Sequence, residues 1–134
     1  LRVAAQITGV VQDLLGELAL SAWSGQMAGA LPYGLERRVE VARALAMQPC
    51  FLLLDEPAAG LNEEESDELL HMLAPMPKAR NLGMLIVEHD MSLVMNISDE
   101  IVVLSYGEKI ADNAPLAVQK DPHVIRVYLG EDDA

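Results

Sequence analysis

The chain holds a single cysteine, Cys50, among 134 residues. One thiol cannot close an internal disulfide, and no Cys/His cluster has the spacing of a metal site. Set before an apolar run, Cys50 is expected to be a buried structural thiol, in keeping with a reducing compartment. Long apolar stretches are missing as well. The longest runs, such as Phe51 to Leu54 and Met84 to Val87, fall far short of the roughly 20 residues that a membrane-spanning helix needs. Positive charge is scarce: 9 Lys and Arg stand against 21 Asp and Glu, a formal net charge of -12. Such acidity is a poor match for a phosphate backbone, so nucleic acid is not an expected partner. The same charge also serves plain solubility. The sequence carries no secretory signal, internal repeat or low-complexity linker. Leu1 rather than Met stands first, which makes loss of an N-terminal part the expectation. Finally, no Gly-x-x-x-x-Gly-Lys-[Ser/Thr] loop exists anywhere; the three lysines, Lys78, Lys109 and Lys120, do not fit it.

What is present is a globular composition, 51% hydrophobic and 22% charged, with the length of one domain. Apolar residues recur at helical spacing from Val10 to Leu20 and again from about Leu35 to Met47, where Gln48-Pro49 stops the second helix. Residues 23–29 read as a short helix or connection. Phe51 to Leu54 and Met84 to Val87 are short enough to be strands buried on both faces, as in a parallel sheet. Between them Asn62 offers a helix cap, and Glu63, Glu64 and Glu65 complement the dipole of a helix that stops at Pro75 and Pro77. Met91 to Ile97 is a short helix. Ile101 to Leu104 and Lys109 to Ala111 flank a Tyr106-Gly107 hairpin turn, and two short helical stretches follow Pro115, the second opened by Asp121-Pro122. Strands alternating with helices indicate an α/β fold with a parallel sheet.

Three segments carry chemistry. The strand at Phe51 closes on Asp55-Glu56-Pro57. The carboxyl edge of a parallel sheet is where such folds bind ligands, and two adjacent carboxylates there can divide the work. One can hold Mg²⁺ while the other polarises a water; a strand simply ending in a polar turn would look the same. Upstream, Leu31-Pro32-Tyr33-Gly34 sets a glycine before an amphipathic helix, whose free N–H groups suit a phosphate, although a plain loop fits too. Downstream, Glu88-His89-Asp90 follows the second strand, so His89 could meet a terminal phosphate or serve only as a structural hydrogen-bonder.

Taken in order, these segments resemble the ATP-binding subunits of ABC transporters: a signature motif at Leu31-Pro32-Tyr33-Gly34 followed by Arg37-Arg38 and Ala42-Arg43-Ala44-Leu45, a Walker B strand and catalytic Glu at Leu53-Leu54-Asp55-Glu56-Pro57, a D-loop at Ala58-Ala59-Gly60-Leu61-Asn62, and a switch histidine in Val87-Glu88-His89-Asp90. The Leu-Pro-Tyr-Gly signature, Met91-Ser92-Leu93-Val94-Met95, and the tail from Val124 to Gly130 are similar to branched-chain amino-acid importers. The resemblance implies a P-loop NTPase fold of the ABC type, represented by its C-terminal portion. Residues 1–48 would form part of the helical subdomain with the signature helix, residues 49–112 the core from Walker B to the switch histidine, and residues 113–134 a helical tail.

It further implies ATP and Mg²⁺ as cofactors. Asp55 would help hold the metal, Glu56 would act as general base or water-orienting group, and His89 would contact the γ-phosphate. Leu31, Pro32, Tyr33 and Gly34 would face ATP held by a second ATP-binding subunit, and the loop of Ala58 to Asn62, with Gly60, would cross the dimer interface. The implied partners are that second subunit, in a homo- or heterodimer, transmembrane permease subunits and, indirectly, a solute-binding protein. The implied place of action is the cytoplasmic face of the membrane. Leu35 departs from the family, which carries a polar residue there, usually Gln; Leu cannot make the same contact. A non-catalytic module pairing with a complete subunit, and a DNA-repair ATPase, share part of the pattern. Acidity and the lack of heptads speak against the second.

Overall fold

The computed structural model describes the backbone of residues 2–130 and the side chains of residues 4–128; of the quoted tail, the Leu129 and Gly130 side chains lie outside that range. The chain divides into two compact units, Leu1–Glu88 and His89–Ala134.

In the first unit, α1 (Arg2–Glu17) begins well before the expected Val10 and stops at Glu17. Beyond it Ala19 takes a left-handed φ of 53°. Residues 23–29 contain no continuous helix; two single 3₁₀ turns, Ser21–Trp23 and Ala28–Ala30, bracket the segment. Helix α2 runs Tyr33–Ala46, strand β1 Phe51–Asp55 and helix α3 Glu63–Leu73. A short helix not foreseen, α4 (Met76–Arg80), follows. Helix α3 stops before Pro75, as expected, whereas Pro77, read as part of the same stop, sits in the first turn of α4, where a missing N–H costs nothing. Strand β2 (Gly83–Val87) then pairs parallel with β1, in a register that sets Phe51 against Gly83 and Asp55 against Val87.

A leucine-rich core lies between the helices and one face of this strand pair. Leu14, Leu18, Val41, Leu45, Leu52, Leu69 and Leu73 are all buried within it. Each fully buried leucine contributes about 2 kcal/mol by removal of apolar area from water. Arg38 is the one buried charged residue among those described, and it pairs with Glu68. Arg80 grips Glu17 with both Nε and Nη2, at 3.1 and 2.8 Å, tying the end of α4 to the end of α1.

The expectation of strands buried on both faces is corrected. Phe51 (58%), Leu53 (69%), Leu85 (52%) and Val87 (53%) are exposed, because helices cover only the face that carries Leu52. Cys50, expected to be buried, is exposed as well; it lies outside the strand, before its first residue, where no core layer reaches it.

The second unit holds α5 (Met91–Ile97), an antiparallel hairpin of β3 (Ile101–Ser105) and β4 (Glu108–Asn113), and two short helices, α6 (Pro115–Val118) and α7 (Pro122–Val124). A π-helical segment, Ile125–Gly130, ends the described chain. The two-residue turn is the expected one. Tyr106 and Gly107 both have positive φ, 48° and 82°, the geometry whose twist matches the flanking strands. Ile101 and Val103 point to the same face by strand alternation and meet Val118 and Val124 there. Asp90 and Asp121 cap their helices, accepting from the N–H groups of Leu93 and His123 at 3.2 and 2.8 Å.

Candidate functional site

The two carboxylates sit where β1 ends. Asp55 is the last residue of the strand, and Glu56 follows it on a bend. The Glu56 N–H donates to the Val87 carbonyl at 2.8 Å, so β2 guides the chain as it leaves β1. Glu56 takes a φ of 43°, a left-handed conformation that costs a non-glycine residue about 1 kcal/mol. Strain of this kind persists only where the surroundings over-determine the backbone. Asp55 and Glu56 are exposed, while Pro57 is buried; the proline anchors the turn and the carboxylates stay in reach of solvent.

The loop from Ala58 to Asn62 is held at several points. The Ala58 N–H donates to Glu88 Oε1 at 3.0 Å, and Glu88 stands one residue beyond β2. The Tyr33 hydroxyl donates to the Ala59 carbonyl at 3.2 Å. Gly60 has a φ of 79°, and a Cβ there would come within 3.0 Å of Tyr33 Cε1. Both its conformation and its neighbour therefore require glycine. At Asn62 the loop enters α3 through a complete capping box: Asn62 Oδ1 accepts from the Glu65 N–H at 2.9 Å, and Glu65 Oε2 accepts from the Asn62 N–H at 3.1 Å.

Helix α2 brings the signature residues to this loop. Pro32 is its cap residue and offers no side-chain cap. Gly34, expected just before the helix, is its second residue and is buried. A Cβ on Gly34 would lie 2.8 Å from Glu65 Oε1, so the missing side chain lets a carboxylate approach the first turn, where the dipole favours negative charge. Leu31 is half-buried, and Pro32 and Tyr33 are exposed. One turn on, the Arg37 guanidinium lies 5.1 Å from the centroid of the Tyr33 ring and bonds Glu40 at 2.8 Å. That hydrogen bond raises its pKa above the ordinary arginine value. A recess of about 230 Å³ beside Asp55 is lined by Arg37, Glu40, Val41, Leu53 and Pro57 among others.

His89 is exposed and opens the second unit. The residues brought together within the first unit are thus Tyr33 with Ala59 and Gly60, Gly34 with Glu65, and Glu56 and Ala58 with the end of β2. Sequence reasoning missed the loop-holding parts of Glu88 and Glu65. For Glu65 a signal existed, since Asn-x-x-Glu is a capping box. For Glu88 there was none, because its partner lies 30 residues away.

Among the described residues no group of three or more His, Cys, Asp or Glu is arranged to hold a metal ion. A nucleotide-bound Mg²⁺ asks a protein for one or two carboxylates, the remaining ligands being water and phosphate oxygens. Asp55, exposed at the strand end, fits the role of the single protein carboxylate. No helix among the described residues is long and apolar enough to cross a membrane.

Comparison with known proteins bears on the same residues. Residues 4–59 match the ABC transporter family model, and residues 108–134 match that of the branched-chain amino acid ATP-binding cassette transporter. Over 117 residues the chain is 46% identical to the high-affinity branched-chain amino acid transport ATP-binding protein BraF of Pseudomonas aeruginosa and 44% identical to LivG of Escherichia coli. It is 38% identical over 120 residues to the lipopolysaccharide export system ATP-binding protein LptB of Acidithiobacillus ferridurans. These alignments take in 87–90% of this chain but 46–49% of each relative, so the chain spans about half the length of the curated relatives it matches. Among solved structures, the ADP conformation of MJ1267, an ATP-binding cassette of an ABC transporter, matches at 30% identity and a TM-score of 0.81, covering 94% of this chain and 51% of that one. The cbiO1 protein of Clostridium perfringens, part of the ABC transporter complex cbiONQ, matches at 29% and 0.82, covering 92% and 49%.

Proposed function

We propose that this chain, which belongs to the ABC transporter ATP-binding family, supplies the hydrolytic carboxylate and the partner-facing signature helix of an ATPase that powers import of branched-chain amino acids. The observation that carries the reading is the end of β1. Two adjacent exposed carboxylates follow a strand paired in parallel, and the second is fixed by a backbone bond to the neighbouring strand. Similarity to BraF and LivG, higher than to LptB, favours amino acids as the cargo. Cargo itself would be chosen by other subunits, since site chemistry and not fold sets function.

In the intact protein Asp55 would hold Mg²⁺, which supplies charge neutralisation between the phosphates when bound. Glu56 accepts a proton from, or orients, the water that attacks the γ-phosphorus, and the bond to the leaving ADP oxygen breaks as the new P–O bond forms. His89 donates to a γ-phosphate oxygen. The first turn of α2 at Gly34, preceded by Leu31, Pro32 and Tyr33, offers N–H donors to ATP held by a second ATP-binding subunit. The loop through Gly60 meets that subunit. Permease subunits at the cytoplasmic face of the membrane, and a solute-binding protein beyond them, complete the assembly. The test is ATP-dependent uptake of labelled leucine into vesicles carrying the intact subunit with its permeases. Uptake that continues without this subunit would overturn the reading.

A second reading draws on the two-stranded sheet of the first unit with its open apolar face: a short module that lends its signature helix to a complete ATP-binding subunit. Co-purification with such a subunit, with no turnover of its own, is its signature.

A further inference from the structure

We infer that Tyr33 is a positioning residue for the loop that follows the two carboxylates, so that the start of α2 and residues 58–61 move as one body. The inference rests on the proposed ATPase reading only for its kinetic consequence; the contact itself stands on geometry. Three observations converge on one side chain. The Tyr33 hydroxyl donates to the Ala59 carbonyl at 3.2 Å, across 26 residues of sequence. Its ring edge fills the space where a side chain on Gly60 would stand, 3.0 Å from an added Cβ. Its ring also carries the Arg37 guanidinium at 5.1 Å, itself tethered to Glu40 at 2.8 Å. Stacked cation and fixed hydroxyl together limit the ring's rotamers even though the residue is 46% exposed.

At its far end the loop is also held by Leu61, which packs against the leucine-rich core. Its internal bonds, Ala59 N–H to Glu56 O and Leu61 N–H to Ala58 O, are those of turns. Among the described residues, Tyr33 and Glu88 reach it by hydrogen bond, from α2 and from the end of β2. Glu88 fixes the side nearest the carboxylates; Tyr33 fixes the apex. A leucine or alanine at position 33 would leave the Ala59 carbonyl without the hydroxyl that holds it. The loop would then sample conformations in which its contact with a second subunit and the signature helix's contact with nucleotide no longer coincide.

The test combines amide hydrogen exchange and steady-state kinetics on the intact protein carrying Tyr33→Phe, Tyr33→Ala or Gly60→Ala. A hydrogen bond of ordinary net strength corresponds to about a fivefold change in an opening equilibrium. Tyr33→Phe, which keeps the ring, is expected to speed exchange at Ala59 and Leu61 about fivefold and leave Leu69 and Leu70 in α3 unchanged. Tyr33→Ala is expected to speed it further. The kcat for ATP hydrolysis should fall by a similar factor with KM within about twofold, since nucleotide binding is not the step affected. Gly60→Ala should be less damaging in the Tyr33→Ala background than alone, because the ring it meets is gone. The proposal is overturned if the loop amides exchange at wild-type rates in Tyr33→Phe, or if KM rises while exchange is unchanged, which would make Tyr33 a nucleotide contact. Should the unsubstituted protein hydrolyse no ATP, the ATPase reading fails while the exchange data still decide the positioning.

Discussion

Removing the Asn62 side chain tests how the loop after the carboxylates is anchored to α3. Asn62 Oδ1 accepts from the Glu65 N–H at 2.9 Å, and the Glu65 carboxylate returns a bond to the Asn62 N–H at 3.1 Å while packing against Gly34. Replacing a cap of this kind by alanine costs about 1 kcal/mol. Unfolding entropy is roughly 2.1 cal/mol/K per residue. Asn62→Ala should then melt about 4–5 °C lower: the smaller figure if all 134 residues unfold together, the larger if the Leu1–Glu88 unit unfolds by itself. Asn62→Asp keeps the acceptor and should stay within about 0.5 kcal/mol of the parent. Glu65→Ala removes the reciprocal bond, and the double variant should cost less than the sum, because each half of the box orients the other. Circular dichroism at the helix band follows the melt, and exchange at the Glu65 and Ser66 amides reports the first turn. If Asn62→Ala melts with the parent and those amides stay protected, the box does not anchor the loop and the reasoning fails.

Leu73→Ala, at a fully buried position, should destabilise by about 2–5 kcal/mol in denaturant titrations; a loss under 1 kcal/mol would mean the helix layer repacks freely. Leu53→Thr, on the open face of β1, should change the stability of this chain by no more than about 0.5 kcal/mol and reduce its aggregation. The Asp112 carboxyl titrates below the ordinary aspartate value because Lys109 hydrogen-bonds and attracts it, while Lys109 is raised in turn. The pair's contribution to the hairpin is therefore present above the unfolded aspartate pKa and is lost as pH falls through the depressed folded value. Carboxyl NMR should show that depression, and Lys109→Gln should remove most of it, since Lys109 is its largest cause.

Much of the architecture was legible because its signals are local. Proline at positions 49 and 75, the Asn62 cap and the Tyr106-Gly107 turn each act on their own few residues, and each marks a boundary in the structure. The reading of β1 and β2 as buried on both faces failed for a physical reason. An apolar run records what a strand can bury, not what this chain supplies to cover it, and here helices reach only the Leu52 face. Cys50 went wrong in the same way, since its composition suits a core but its place before β1 leaves it outside. Asp55 and Glu56 lie at the strand end, and Gly34 at the helix start, where residue type and order put them. Their supports, Tyr33 on Ala59 and Glu88 on Ala58, span 26 and 30 residues, and such pairings leave no mark in one sequence. That Glu65 lies against Gly34, leaving no room for a side chain there, is again a contact between distant segments.

The central claim, that Glu56 is the hydrolytic carboxylate of a transport ATPase, is tested most directly by Glu56→Gln in the intact protein, with ATP binding and ATP turnover measured side by side. The substitution keeps size and polarity while removing the base. Turnover should fall by about a hundredfold or more, with ATP bound as tightly as by the parent; turnover near the parent rate would contradict the claim.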